Sequence, residues 1–204
     1  MICASMPYKL QAIGGKALVK KLQEKNADFY ARLRQAGFLL DFGDDDSGLG
    51  VKYLRRGSGY YIDVGASELI CDGKIKLKTR VSVKEIKERS VVFSDGSELS
   101  ADLIVYATGY GSMNGWAAQL ISQEVADKVG KVWGLGSNTT KDPGPWEGEQ
   151  RNMWKPTQQE ALWFHGGNLH QSRHYSQFLS LQIKARKEGI AAPVYWKAPV
   201  YHKS

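Results

Sequence analysis

The sequence predicts an α/β chain in which a β-meander is flanked by helices. Three observations carry this. Apolar residues recur at helical spacing over 16–36 and again over 168–188. Between them, 74–106 falls into short runs of alternating apolar and polar residues. The last run, Leu103-Ile104-Val105-Tyr106-Ala107, is apolar throughout and ends in Thr108-Gly109-Tyr110-Gly111. That is the pattern of a strand buried on both faces.

In chain order, Leu18, Val19, Leu22, Phe29, Leu33 and Ala36 share one side of the first helix. Asn26 and Asp28 favour helix starts and predict a break there, and Gly37 predicts the stop. Phe38-Leu39-Leu40-Asp41-Phe42 reads as a short strand or buried connection. Asp44-Asp45-Asp46 follow in a glycine-bounded loop. An EF-hand needs alternating ligands and a bidentate Glu further on, and this loop has neither, so an exposed turn is expected. Residues 55–65 are glycine-rich. Lys74 to Lys78, Val81 to Ile86, Ser90 to Phe93 and the run ending at Tyr106 then alternate with period two about an Asp95-Gly96 turn. They predict a meander with one wet face.

Residues 111–160 hold Trp116, Trp133, Trp146 and Trp154 among many Gly, Pro and Asn, and the prolines at 143 and 145 exclude a helix interior there. A long irregular, aromatic-weighted excursion is expected. Ala161 to His165 reads as a short strand and Gly166-Gly167 as a tight turn. The best helix follows, with Tyr175, Phe178, Leu179, Gln182, Ile183 and Arg186 on one face. Asn168 and Gln171 have capping-box spacing, Ser172 is a second candidate cap, and Gly189 and Pro193 end the helix.

The 204 residues suit one large domain or two small ones, and 42% apolar content supports a sizeable core. Twenty-eight Lys+Arg against 21 Asp+Glu give a formal charge of +7, which attracts nucleic acid or an anionic cofactor. The lysines are spread rather than clustered, so a basic surface is the simpler reading and no nucleic-acid partner is expected. Cys3 and Cys71 are far apart and form no CxxC, which argues against a disulfide framework or a zinc site. No apolar run approaches the roughly 18 residues of a membrane span. The opening MICASMPYKL lacks a signal-peptide pattern. A cytoplasmic location is expected.

The chemistry-bearing motifs leave alternatives. A strand, a Gly-Gly turn and a helix start form phosphate- or flavin-type geometry, because the helix N-terminus carries unpaired N–H groups and about half a positive charge. An ordinary βα connection uses the same residues. His165, His170 and His174 lie near that turn, but Gln171 stands where an HExxH zinc motif needs Glu. No metal is expected, and the histidines are structural or substrate-facing. Arg55-Arg56 before Gly57-Ser58-Gly59 are either an anion site or solvated loop arginines. The catalytic residues are unassigned. GxSxG, P-loop, helix-turn-helix and GxGxxG patterns are all absent from the sequence.

From about residue 28 to residue 190 the chain resembles the C-terminal half of a flavin-containing monooxygenase. It is most similar to the branch of putative flavoproteins and plant indole-pyruvate monooxygenases. The residues carrying the resemblance are YYIDVGASELICDGKIKL (60–77), VVFSDGSELSADLIVYATGYGS (91–112) and GGNLHQSRHYSQFLSLQIKAR (166–186). The resemblance implies part of a two-dinucleotide-binding-domain flavoprotein fold. Residues 1–106 would be the C-terminal part of the NADPH-binding domain, meander included. Residues 107–204 would be the C-terminal part of the FAD-binding domain. It also implies FAD and NADPH as cofactors, NADPH reducing FAD and the flavin hydroperoxide oxygenating a small organic substrate. Ala107, Thr108, Gly109 and Tyr110 would line the inter-domain crossing. Gly167, Asn168 and Leu169 would approach the isoalloxazine, and the tryptophan-rich excursion would cover the substrate.

The family carries two GxGxxG loops upstream of these blocks, and neither is in this sequence. The chain therefore reads as a truncated product or expressed fragment. Two functional readings follow: part of a flavin-dependent monooxygenase, or a non-catalytic module that retains the fold remnant and binds a protein or an anionic ligand. A nucleic-acid binder is a third reading, suggested by charge alone. Without the missing half, the strand at 103–107 predicts exposed apolar surface and self-association into a homo-oligomer.

Overall fold

The computed structural model describes residues 6–57, 61–135 and 150–192. Expectations at Cys3, at 58–60, at 141–146 and at Pro193 lie outside the described residues. The chain is mixed helix and small antiparallel sheet. It divides into two compact units. The first comprises Met1–Val19, Phe42–Gly59 and Tyr110–Ser204, and the second Lys20–Asp41 and Tyr60–Gly109. Among the described residues no helix is long and apolar enough to cross a membrane.

The first helical pattern forms two helices, α1 (Tyr8–Lys25) and α2 (Ala27–Gln35), broken at Asn26. α1 starts well before residue 16. Asn26 does not cap α2: its amide donates back to the Leu22 carbonyl at 3.0 Å. Gly37 stops α2 in the left-handed region at φ 88°, with the Phe38 N–H bonded to Leu33 O. Residues 38–42 form no strand.

Neither of the next two helices is among the sequence expectations. α3 (Leu49–Arg56) occupies part of the glycine-rich stretch, between Gly48 and Gly57, both at positive φ. It buries Val51 and Leu54. α4 (Ala66–Cys71) is opened by Asp63, whose carboxylate accepts the N–H groups of Gly65 and Ser67. These bonds hold the Asp63 carboxyl below the usual carboxylate range.

The aspartate loop is a turn, and its charges serve α3. Asp45 receives both Arg55 guanidinium nitrogens at 2.8 and 3.1 Å and the Ser47 hydroxyl at 2.5 Å, while Arg56 pairs with Asp44. Lys16 reaches Asp45 at 3.6 Å. The Arg55 hydrogen bonds hold the Asp45 carboxyl well below the ordinary carboxylate pKa. A depressed folded-state pKa gives stability that is present above the unfolded value of about 3.9 and is lost as pH falls through the folded one. Asp45→Asn is expected to cost about 1 kcal/mol near neutrality, the ion pair being partly screened by solvent. It should also weaken the loss of stability below about pH 4. Urea melts of both proteins from pH 7 to pH 2.5 check this, and parallel curves would refute it.

In the second unit, β1 (Val83–Ile86), β2 (Ser90–Phe93) and β3 (Glu98–Ser100) form an antiparallel meander in that order. A bulge separates Val83 from Glu85, and Val91 pairs with Leu99. The turn is as read. Gly96 takes φ 81°, and the Asp95 carboxylate accepts the Ser97 N–H at 3.0 Å. The single wet face is corrected: β1 and β3 are exposed along their lengths and β2 is half-buried. Residues 74–78 form no strand, because the N–H groups of Lys74 and Ile75 bond back to Leu69 O at the end of α4.

The strand expected at 103–107 is also corrected. These residues form no strand, and Leu103, Val105 and Tyr106 are 82%, 78% and 70% exposed. The ladder ends at Ser100, followed by one bond from Ala101 N–H to Arg89 O. Among the described residues no neighbouring strand continues it.

In the first unit, the expected irregular excursion contains two short helices, α5 (Asn114–Leu120) and α6 (Gln123–Val129), the latter capped by the Ser122 hydroxyl. The expected strand at 161–165 reduces to a single bridge, Met153 with Phe164. The last helix, α7 (Leu169–Lys187), matches its expected span and carries the full Asn168–Gln171 capping box, but Phe178, Ile183 and Arg186 of the expected face are exposed.

Candidate functional site

The expected Gly-Gly turn leads into α7 and is built as follows. Gly167 takes φ 89°, which disfavours any side chain. The Asn168 side chain accepts the Gln171 N–H at 2.9 Å, and Gln171 Oε1 accepts the Asn168 N–H at 3.3 Å. Ser172 is not a cap, since its hydroxyl donates to Gly166 O at 2.9 Å. Gln171 Oε1 also accepts the Tyr53 hydroxyl at 3.1 Å, so the turn is anchored to α3.

Beneath the turn lies an aromatic and polar core. Trp154 stacks on Tyr175 with centroids 4.1 Å apart, and Trp133 meets Trp154 edge-on at 6.0 Å. The Trp133 indole N–H donates to Tyr53 O at 2.8 Å. The Tyr8 and Tyr175 hydroxyls pair at 2.9 Å, and burial followed by that bond pushes the Tyr8 phenol pKa upward. The buried Gln150 bridges the Gly134 N–H and Leu54 O. Asn152 donates to Val129 O and Lys131 O. Trp133, Asn152 and Trp154 all sit at positive φ, a costly conformation for side-chain-bearing residues that dense packing sustains.

This core corrects one expectation. Trp133 and Trp154 do not cover a substrate space. They fill the core, with Val129, Val132 and Met153 around Trp154. Trp116 is exposed, and Trp146 lies outside the described residues. The signal missed in the sequence was the pairing of Trp133 and Trp154 with polar residues 150–152, which supply the hydrogen bonds that irregular backbone needs when buried.

The remaining candidates fall as follows. Ala107, Thr108 and Gly109 belong to the second unit, whereas Tyr110, Gly167, Asn168 and Leu169 belong to the first. Residues 107–110 are exposed, Tyr110 almost wholly. Leu169 is 88% exposed at the head of α7. A Cβ on Gly167 would meet Gln171 Oε1 at 2.7 Å and the Trp133 ring at 3.3 Å. The space this glycine leaves is therefore filled by the protein itself. A groove of about 630 Å³ lined by Arg32, Ile70, Cys71 and Ile75, and one of about 280 Å³ beside Trp163 and Arg186, include none of these residues.

Arg55 and Arg56 are held by Asp45 and Asp44 rather than offered to an anion. His165 and His170 are exposed, and His174 packs edge-on against Tyr175 and Phe178. Among the described residues no group of three metal-ligating side chains forms. No protein-family model matches the chain, and no curated protein matches it.

Proposed function

We propose that this chain is part of a flavin-dependent monooxygenase, in which NADPH reduces FAD and a small organic substrate is oxygenated. The observation that supports this reading most is the Gly-Gly turn into a fully capped, 19-residue α7, at the place where the resemblance puts the flavin contact. The exposed Leu169 and His170 head this helix, whose positive end favours the charge a reduced flavin carries. The described residues do not enclose an isoalloxazine: the position a Gly167 side chain would take is filled by Gln171 and Trp133, and 107–110 line neither groove. No reaction step is assigned to them. Tight FAD binding on this reading depends on pyrophosphate loops that this sequence does not contain.

A second reading, a non-catalytic module that binds a protein, is favoured by the exposed apolar run at 103–106. An FAD titration of the purified chain, followed by flavin fluorescence and NADPH consumption, separates the two. Gly167 is a poor probe, since any side chain there disturbs the capping box. Leu169→Glu is clean: the residue is exposed, and an acid in the first turn stabilises a helix by about 0.3–1 kcal/mol. The first reading expects weak flavin uptake that Leu169→Glu lowers several-fold at an unchanged or raised Tm. Flavin uptake that Leu169→Glu leaves unchanged, or no uptake at all, removes the support that α7 gives the first reading and leaves the module.

A further inference from the structure

We draw no further inference here: the strongest candidate, the groove of about 630 Å³ between the end of α2 and the turn after α4, carries nothing because Glu68 already holds its Arg32, Cys71 is a lone cysteine, and nothing else in the structure shows what ligand the groove would take.

Discussion

Trp154→Ala is expected to cost about 3–5 kcal/mol, the usual range for emptying a buried large aromatic site. Trp154 is 5% exposed, stacks on Tyr175 and meets Trp133 edge-on. Both partners also pack against the Tyr8, Leu54 and Leu135 cluster, so the cavity would open at the centre of the first unit. One term opposes the loss. The Trp154 indole N–H is buried without a hydrogen-bond partner among the described residues, and its removal recovers part of that penalty of about 1–3 kcal/mol. Trp154→Phe, which keeps a ring and drops the N–H, should therefore be much milder than alanine. Tryptophan fluorescence reads the right unit, because Trp116, Trp133, Trp154 and Trp163 all lie in the first. Equal destabilisation by Phe and Ala would mean that the stack contributes little.

What was legible in the sequence was local. The Asn26 break, the Gly37 stop, the Asp95-Gly96 turn and the Asn168–Gln171 box each depend on residues within a few positions of one another. Local signals also existed for α3, where Val51 and Leu54 stand three apart between two glycines, but arginines and glycines around them read as a loop. The failures were non-local. An all-apolar run specifies a buried strand only if neighbours exist on both sides, and 103–107 has none among the described residues. The same holds for the tryptophans. Their number in 111–160 shows that something is covered, but not whether it is a ligand or the chain's own α7. That depended on Tyr175 and Gln171, far along the sequence.

Gly14 and Gly15 should respond in opposite directions to alanine, although they are neighbours in α1. Within a helix, glycine to alanine is worth about 1 kcal/mol of stabilisation through backbone entropy. At Gly14 nothing lies within 4 Å of the added Cβ, so that gain should appear in full. At Gly15 the Cβ would sit 2.2 Å from Ser47 O and 3.1 Å from Ser47 C. Both are backbone atoms and cannot rotate away. Ser47 is 3% exposed and is tied through Asp45 to Arg55, so a shift of its carbonyl would strain the loop that anchors α3. Overpacking of this kind costs about 1–3 kcal/mol or more, which outweighs the helical gain. The expected result is a raised urea midpoint for Gly14→Ala and a lowered one for Gly15→Ala, with Asp45→Asn reducing the Gly15 penalty by loosening the loop. A stabilised Gly15→Ala would show that α1 and the aspartate loop do not make this backbone contact.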